Sequence, residues 1–218
     1  MRSYIVLLTS GSLVGALCIA IFGWFTFQGL NKATDELEQE AQKSGSSSSQ
    51  HADVMAFLDT TRGVFVTMEI YPKDYDGVFS IAYDAIALAK EGANKLSDLY
   101  FESFPDEIML PIAKGIREME DSISEMQKMQ PAQNDEKWVE RKTLARKKYD
   151  SIRENLKNNL DNLEVQALKI LQNANQSLRI KWQELEAREQ NSRLSLLIVS
   201  ILYFALIKKN NVGSINLV

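Results

Sequence analysis

The sequence predicts an all-α protein: an antiparallel four-helix bundle, extracytoplasmic, flanked by two transmembrane helices. Three observations point there. Apolar residues recur at steps of three and four in several separate stretches, the spacing of helices with one buried face. Gly and Pro number only 10 and 4 in 218 residues, too few for a turn-rich β architecture. Uncharged apolar runs lie near both ends of an otherwise polar chain.

The first element is Tyr4–Leu30, free of charge for 27 residues and longer than the roughly 20 needed to cross a bilayer. Gly11 and Gly15 form a small-xxx-small pair, and Trp24, Phe25 and Phe27 stand where an aromatic belt would lie. The run is too long for the core of a signal peptide and reads as an uncleaved anchor. Residues 31–43 are acidic and helix-favouring. Ser44–Gln50 is a low-complexity break, either an extended joint or a frayed part of one long helix, and His51 beside the serines reads as an exposed helix start. Helical spacing resumes through Val54, Phe57, Leu58, Phe65 and Met68, although the β-branched patch at 64–68 also admits a short strand. Tyr71–Gly77 reads as a turn.

A second helix is predicted from Val78 to Ser103, with Ile81, Ala82, Ala85, Leu88, Ala89, Leu96 and Leu99 as its apolar positions. Phe104-Pro105-Asp106-Glu107 forms a corner, with two acids in the first turn that follows. The third helix runs to Gln130 through Ile112, Ile116, Met119, Ile123 and Met126, and Pro111 marks either its start or a kink. After the turn at 130–135, with Asn134 or Asp135 as N-cap, the longest helix begins. Its apolar positions Ala145, Tyr149, Ile152, Leu156, Leu160, Leu163, Ala167, Ile170, Ala174, Leu178, Trp182 and Leu185 average about 3.6 residues per step. Leu194–Ile207 is uncharged and closed by Lys208-Lys209, a span of about 21 Å against a hydrocarbon core of about 30 Å.

The predicted organisation is thus an N-terminal transmembrane helix at 1–30, a helical bundle at 31–193, a second transmembrane helix at 194–209 and a short tail at 210–218. Arg2 before the first run and Lys208-Lys209 after the second place both termini in the cytoplasm of a bacterial inner membrane, with the bundle outside and lipid as a partner. A net charge of −4 argues against nucleic acid as a partner. One histidine and one cysteine, His51 and Cys18, leave no His/Cys dyad, no zinc site and no disulfide within the chain. Phosphate-binding glycine loops and nucleophile elbows are missing too. A non-enzyme without metal or cofactor is expected.

In this order of elements the chain resembles the sensory part of a methyl-accepting chemotaxis protein. The resemblance covers nearly the whole chain and implies a homodimer that binds a small organic ligand and passes a helix shift onward. It implies ligand-binding arginines on the first bundle helix, beside a Thr-Arg pair. Leu58-Asp59-Thr60-Thr61-Arg62 is similar, which makes Arg62 the candidate, as a guanidinium fork for a ligand carboxylate or as a surface cation paired with an acid such as Asp59. Nothing after Lys209 matches the HAMP linker or signalling helices of that family, so a truncated receptor is expected. Tyr71 and Tyr75, with Tyr83, are candidates for a pocket at the bundle tip, or for plain packing there. The basic run Arg141–Lys148 reads as an ion-paired face, and Met109, Met119, Met126 and Met129 as core filler. The competing readings are a membrane-anchored adaptor and the sensor fragment of a histidine kinase.

Overall fold

The computed structural model describes residues 2–70, 76–129 and 137–215, with side chains at 13, 15–69, 78–129, 137–205, 207 and 208. It is all-α. The order is α1 (Arg2–Ile70), α2 (Asp76–Leu99), α3 (Asp106–Lys128) and α4 (Trp138–Ile215), and no strand occurs among the described residues. The chain divides into two compact units, one of residues 1–44 with 174–218 and the other of residues 45–173.

The second unit is the antiparallel four-helix bundle. Its neighbours are fixed by contacts whose residue numbers rise on one helix as they fall on the next. Asp53 of α1 takes Lys95 of α2 at 3.1 Å, and one turn on, the Phe57 ring packs where a Cβ on Gly92 would stand. Lys90 of α2 pairs with Glu120 of α3. Glu125 of α3 takes Lys148 of α4 at 2.9 Å, and Leu156 lies against Gly115. Arg62 and Glu69 of α1 close the ring on Asp161 and Arg153 of α4. Inside, Val54, Leu58, Ile86, Leu96, Ile112, Ile116, Met119, Leu156, Leu160 and Leu163 are buried together in one core.

α3 starts at the corner and not at Pro111: Pro105 is the extended N-cap residue and Asp106 and Glu107 fill the first turn. The helix continues through Pro111. A proline inside a helix costs about 3 kcal/mol because it gives no N–H to the carbonyl four residues back. Burial of Ile112, Ile116, Met119 and Ile123 outweighs this at about 1.5–3 kcal/mol each. The same balance settles the serine stretch, which is not a break: α1 is helical throughout 44–50, and His51 is a half-buried interior residue rather than a helix start. Five serines and Gly45 lose roughly 3 kcal/mol of helix propensity in all, less than the gain from burying Val54, Phe57 and Leu58 just beyond. The patch at 64–68 is helix as well, with Val64, Phe65 and Met68 in the core.

α2 is shorter and differently faced than its apolar spacing suggests. It ends at Leu99, and its buried row is Val78, Ala82, Ile86, Ala89, Ala93 and Leu96, while Ile81, Leu88 and Leu99 are exposed.

In the first unit α1 and α4 pair antiparallel. Gly15 lies under the Tyr203 ring, Lys181 reaches Glu36 at 3.4 Å, Ser177 donates to Glu40 at 2.9 Å and Ser44 donates to Asn175 at 2.7 Å. Ala33 and Leu37 are its buried apolar residues among those described. With one neighbour instead of two, α4 here covers a narrower face. Trp182, expected on the buried stripe, is therefore 57 % exposed, and Leu178 and Leu185 are half-buried.

The expected placement as a two-span protein of the bacterial inner membrane is overturned. Among the described residues, no helix is long and apolar enough to cross a membrane. Leu194–Ile207 is short for a span and meets Lys208-Lys209. The described side chains of the N-terminal run begin at Leu13 and are diluted by Gly15, Gly23, Thr26, Gln28 and Gly29 before Asn31-Lys32. Residues 2–30 and 194–209 lie within α1 and α4.

Among the described residues, three buried side-chain polar atoms lack a partner: Gln50 Nε2, Ser122 Oγ and the Tyr149 hydroxyl. Tyr149 is fully buried, and burial drives its hydroxyl strongly toward the neutral form. An unpaired buried hydroxyl destabilises the state that contains it. Tyr149→Phe is therefore expected to keep or raise stability in chemical denaturation, by up to about 1 kcal/mol, whereas Leu160→Ala lowers it by about 2–5 kcal/mol. A loss above about 1 kcal/mol for Tyr149→Phe would show that the hydroxyl is paired. Gly92→Val, which drives a side chain into the Phe57 ring, is expected to cost about 1–3 kcal/mol.

Candidate functional site

Arg62 sits on the side of α1 that faces α4, two turns of helix after Val54 and next to the buried Thr61. Thr61 turns its hydroxyl back onto the Phe57 carbonyl at 2.9 Å, which satisfies it inside the core and leaves Arg62 to cross to the neighbouring helix. Its guanidinium donates to Asp161 at 2.8 Å and to Glu164 at 2.6 Å, residues one turn apart on α4. The Arg62 side chain is one-third exposed, and the bond to Glu164, then that to Asp161, holds it even more firmly protonated than usual. The partner is not Asp59, which is exposed on the same helix.

Two carboxylates around one guanidinium make a net negative cluster. A ligand carboxylate would have to displace Asp161 or Glu164 to reach the fork. Arg62 as placed ties α1 to α4, and ion pairs at this exposure contribute up to about 1 kcal/mol. Tyr71 and Tyr75 lie outside the described residues. Tyr83 is half-buried against the bundle core.

A second cluster stands at the α2–α3 corner. The Tyr100 hydroxyl donates to Asp53 at 2.5 Å, Lys95 donates to the other carboxylate oxygen at 3.1 Å, and the Tyr100 ring meets Phe104 edge to face. The bond from Tyr100, then that from Lys95, holds the Asp53 carboxyl below its ordinary range, and the same contact with Asp53 raises the Tyr100 phenol.

The groove between α3 and α4 was not among the sites expected from the sequence. It encloses about 200 Å³ and is lined by Pro111, Lys114, Gly115 and Glu118 of α3 and by Ile152, Asn155, Leu156 and Asn159 of α4. Gly115 removes a side chain where Leu156 approaches, so apolar atoms form the floor while a charge pair and two carboxamides form the rims. Pro111 and Gly115, one turn apart, were the available signal. Within the basic run, Arg146 pairs with Asp150 and donates to the Met68 carbonyl, and Lys148 pairs with Glu125. Among the described residues, no three acids, histidines or cysteines are grouped to hold a metal ion.

No family model, curated protein or solved structure matches this chain.

The Asp53 cluster yields a pH test. A carboxyl whose folded pKa is lowered stabilises the fold above its ordinary value of 3.8, and that contribution disappears as pH falls through the lower, folded value. Asp53→Asn is expected to cost about 1 kcal/mol at pH 7, and its deficit against the parent should close below pH 3.8. A deficit that stays constant down to pH 2 would mean that the carboxylate charge has no part in it.

Proposed function

We propose that this protein is a helical sensor module of the chemotaxis-receptor type, in which a small organic ligand bound to the four-helix unit changes how α4 packs. The observation that carries the reading is α4 itself. Over Tyr149–Ala167 it supplies Tyr149, Leu156, Leu160, Leu163 and Ala167 to the bundle core, and the same unbroken helix goes on to pair with α1 through Ser177 and Lys181. A helix packed by interdigitating side chains has a few discrete arrangements, so a ligand that prefers one of them shifts the whole element. Its differential affinity sets how far.

The Arg62–Asp161–Glu164 contact suits such a relay because it joins α1 and α4 with exposed charges that exchange partners at little cost. The shallow groove between α3 and α4 sets Lys114, Glu118, Asn155 and Asn159 around Ile152 and Leu156, and is the cavity at which a small ligand would be sought first. A homodimer, as in receptors of this type, is part of the proposal.

The test has two readouts on the full chain. A thermal-shift panel of amino acids, organic acids and amines is expected to raise the melting temperature for one chemical class. In a Trp24→Phe, Trp138→Phe variant, the same ligand should then shift the emission of the remaining Trp182, far along α4 from the bundle core. A ligand that stabilises the protein and leaves Trp182 unchanged would contradict the relay.

A further inference from the structure

α1 and α4 each carry a poor helix-forming stretch, and the two stretches meet. Residues 44–50 of α1 read Ser-Gly-Ser-Ser-Ser-Ser-Gln, and residues 172–177 of α4 read Gln-Asn-Ala-Asn-Gln-Ser. Serine and asparagine offer the backbone competing hydrogen bonds, and glycine adds backbone entropy, so all three weaken a helix. Neither stretch holds a charged residue, and so neither has the ion pairs one turn apart that support exposed helix. Ser44 donates to Asn175 at 2.7 Å, which sets the two stretches side by side.

Packing is weak at the same place. On α1 the buried side chains between Leu37 and Val54 are Ser44 and Gln50, both polar, and Gln50 Nε2 is buried without a partner. On α4 the buried row ends at Ala167, and no side chain of 172–177 is buried. Ser44 and Ser49 tie this part of α1 to Asn175 and to the Tyr100 hydroxyl through hydrogen bonds, and water replaces such bonds at small net cost. The chain's two compact units also divide here on both helices, after residues 44 and 173. Propensity alone does not mark the place. Residues 155–162 of α4 include four asparagines, yet Leu156 and Leu160 are buried there and hold the helix in the core.

We propose that residues 44–50 and 172–177 form one joint, at which α1 and α4 open and re-form together while the bundle core stays closed. Local opening is favoured where few apolar contacts have to break, and neighbouring Gly and Ser are a known cause of helix kinks. Between openings both helices are continuous. The joint belongs to the unliganded chain and does not rest on the relay along α4.

The test is native-state hydrogen exchange on the full chain, read segment by segment. Amides of 44–50 should exchange faster than those of 33–40 and 54–61, and amides of 172–177 faster than those of 163–169 and 178–184. Gly45→Ala, Ser46→Ala and Ser48→Ala together raise helix propensity at three exposed positions and should slow exchange at 44–50 roughly tenfold. Exchange at 172–177 should slow with it. Gln50→Leu, which replaces the buried carboxamide with an apolar side chain, should act in the same direction. Gly63→Ala makes a similar gain within the bundle, where a Cβ meets open space, and should leave both stretches unchanged. Protection that passes through 44–50 and 172–177 without a dip would overturn the proposal. So would slowing of 44–50 in the triple variant without slowing of 172–177, or equal slowing of both by Gly63→Ala.

Discussion

The bundle depends on one buried stripe. Tyr149, Leu156, Leu160, Leu163 and Ala167 of α4 lie fully or almost fully out of solvent, at the steps of three and four that keep them on one side of the helix. Each of the three leucines contributes roughly 1.5–3 kcal/mol when removed from water. That sum offsets the propensity lost in the serine segment of α1 and the hydrogen bond lost at Pro111 of α3. Helices with local defects stay helical here because each lays an apolar face on α4 or beside it.

What brings the helices close is small side chains rather than large ones. Gly92 receives the Phe57 ring and Gly115 receives Leu156 within the bundle, and Gly15 receives Tyr203 where α1 pairs with α4. Each glycine is a hole for a knob from the neighbouring helix. The tight packing has a cost at Ser122 and Tyr149, whose hydroxyls are buried without partners.

Much of this was legible in the chain. The four helices, the Pro105 corner and most of the α4 stripe follow from spacing and capping alone. Errors came where tertiary context overrides a local signal. Ser44–Gln50 looks like a break because serine and glycine are poor helix formers, yet Ser44 is buried and bonded to Asn175. On α2 two apolar rows compete, and only the three-dimensional arrangement shows that Ala82 and Ala89 face inward while Ile81 and Leu88 do not. Arg62 was legible as a charged residue worth singling out, but its partners Asp161 and Glu164 lie about a hundred residues away and no local pattern points to them. For the groove, Pro111 and Gly115 marked only the α3 side, because the groove exists only where α3 meets α4.

The central claim is that the middle of α4 anchors the bundle. Native-state hydrogen exchange, resolved along α4, tests it most directly. The amides of Leu156–Ala167 should be the slowest in the chain and should exchange only with global unfolding, while those near Val139 and Leu144, where the side chains are exposed, exchange by local opening. If the amides of Leu156–Ala167 exchange as fast as those near Val139, or if α2 retains protection after α4 has lost it, the stripe does not hold the bundle and the account fails.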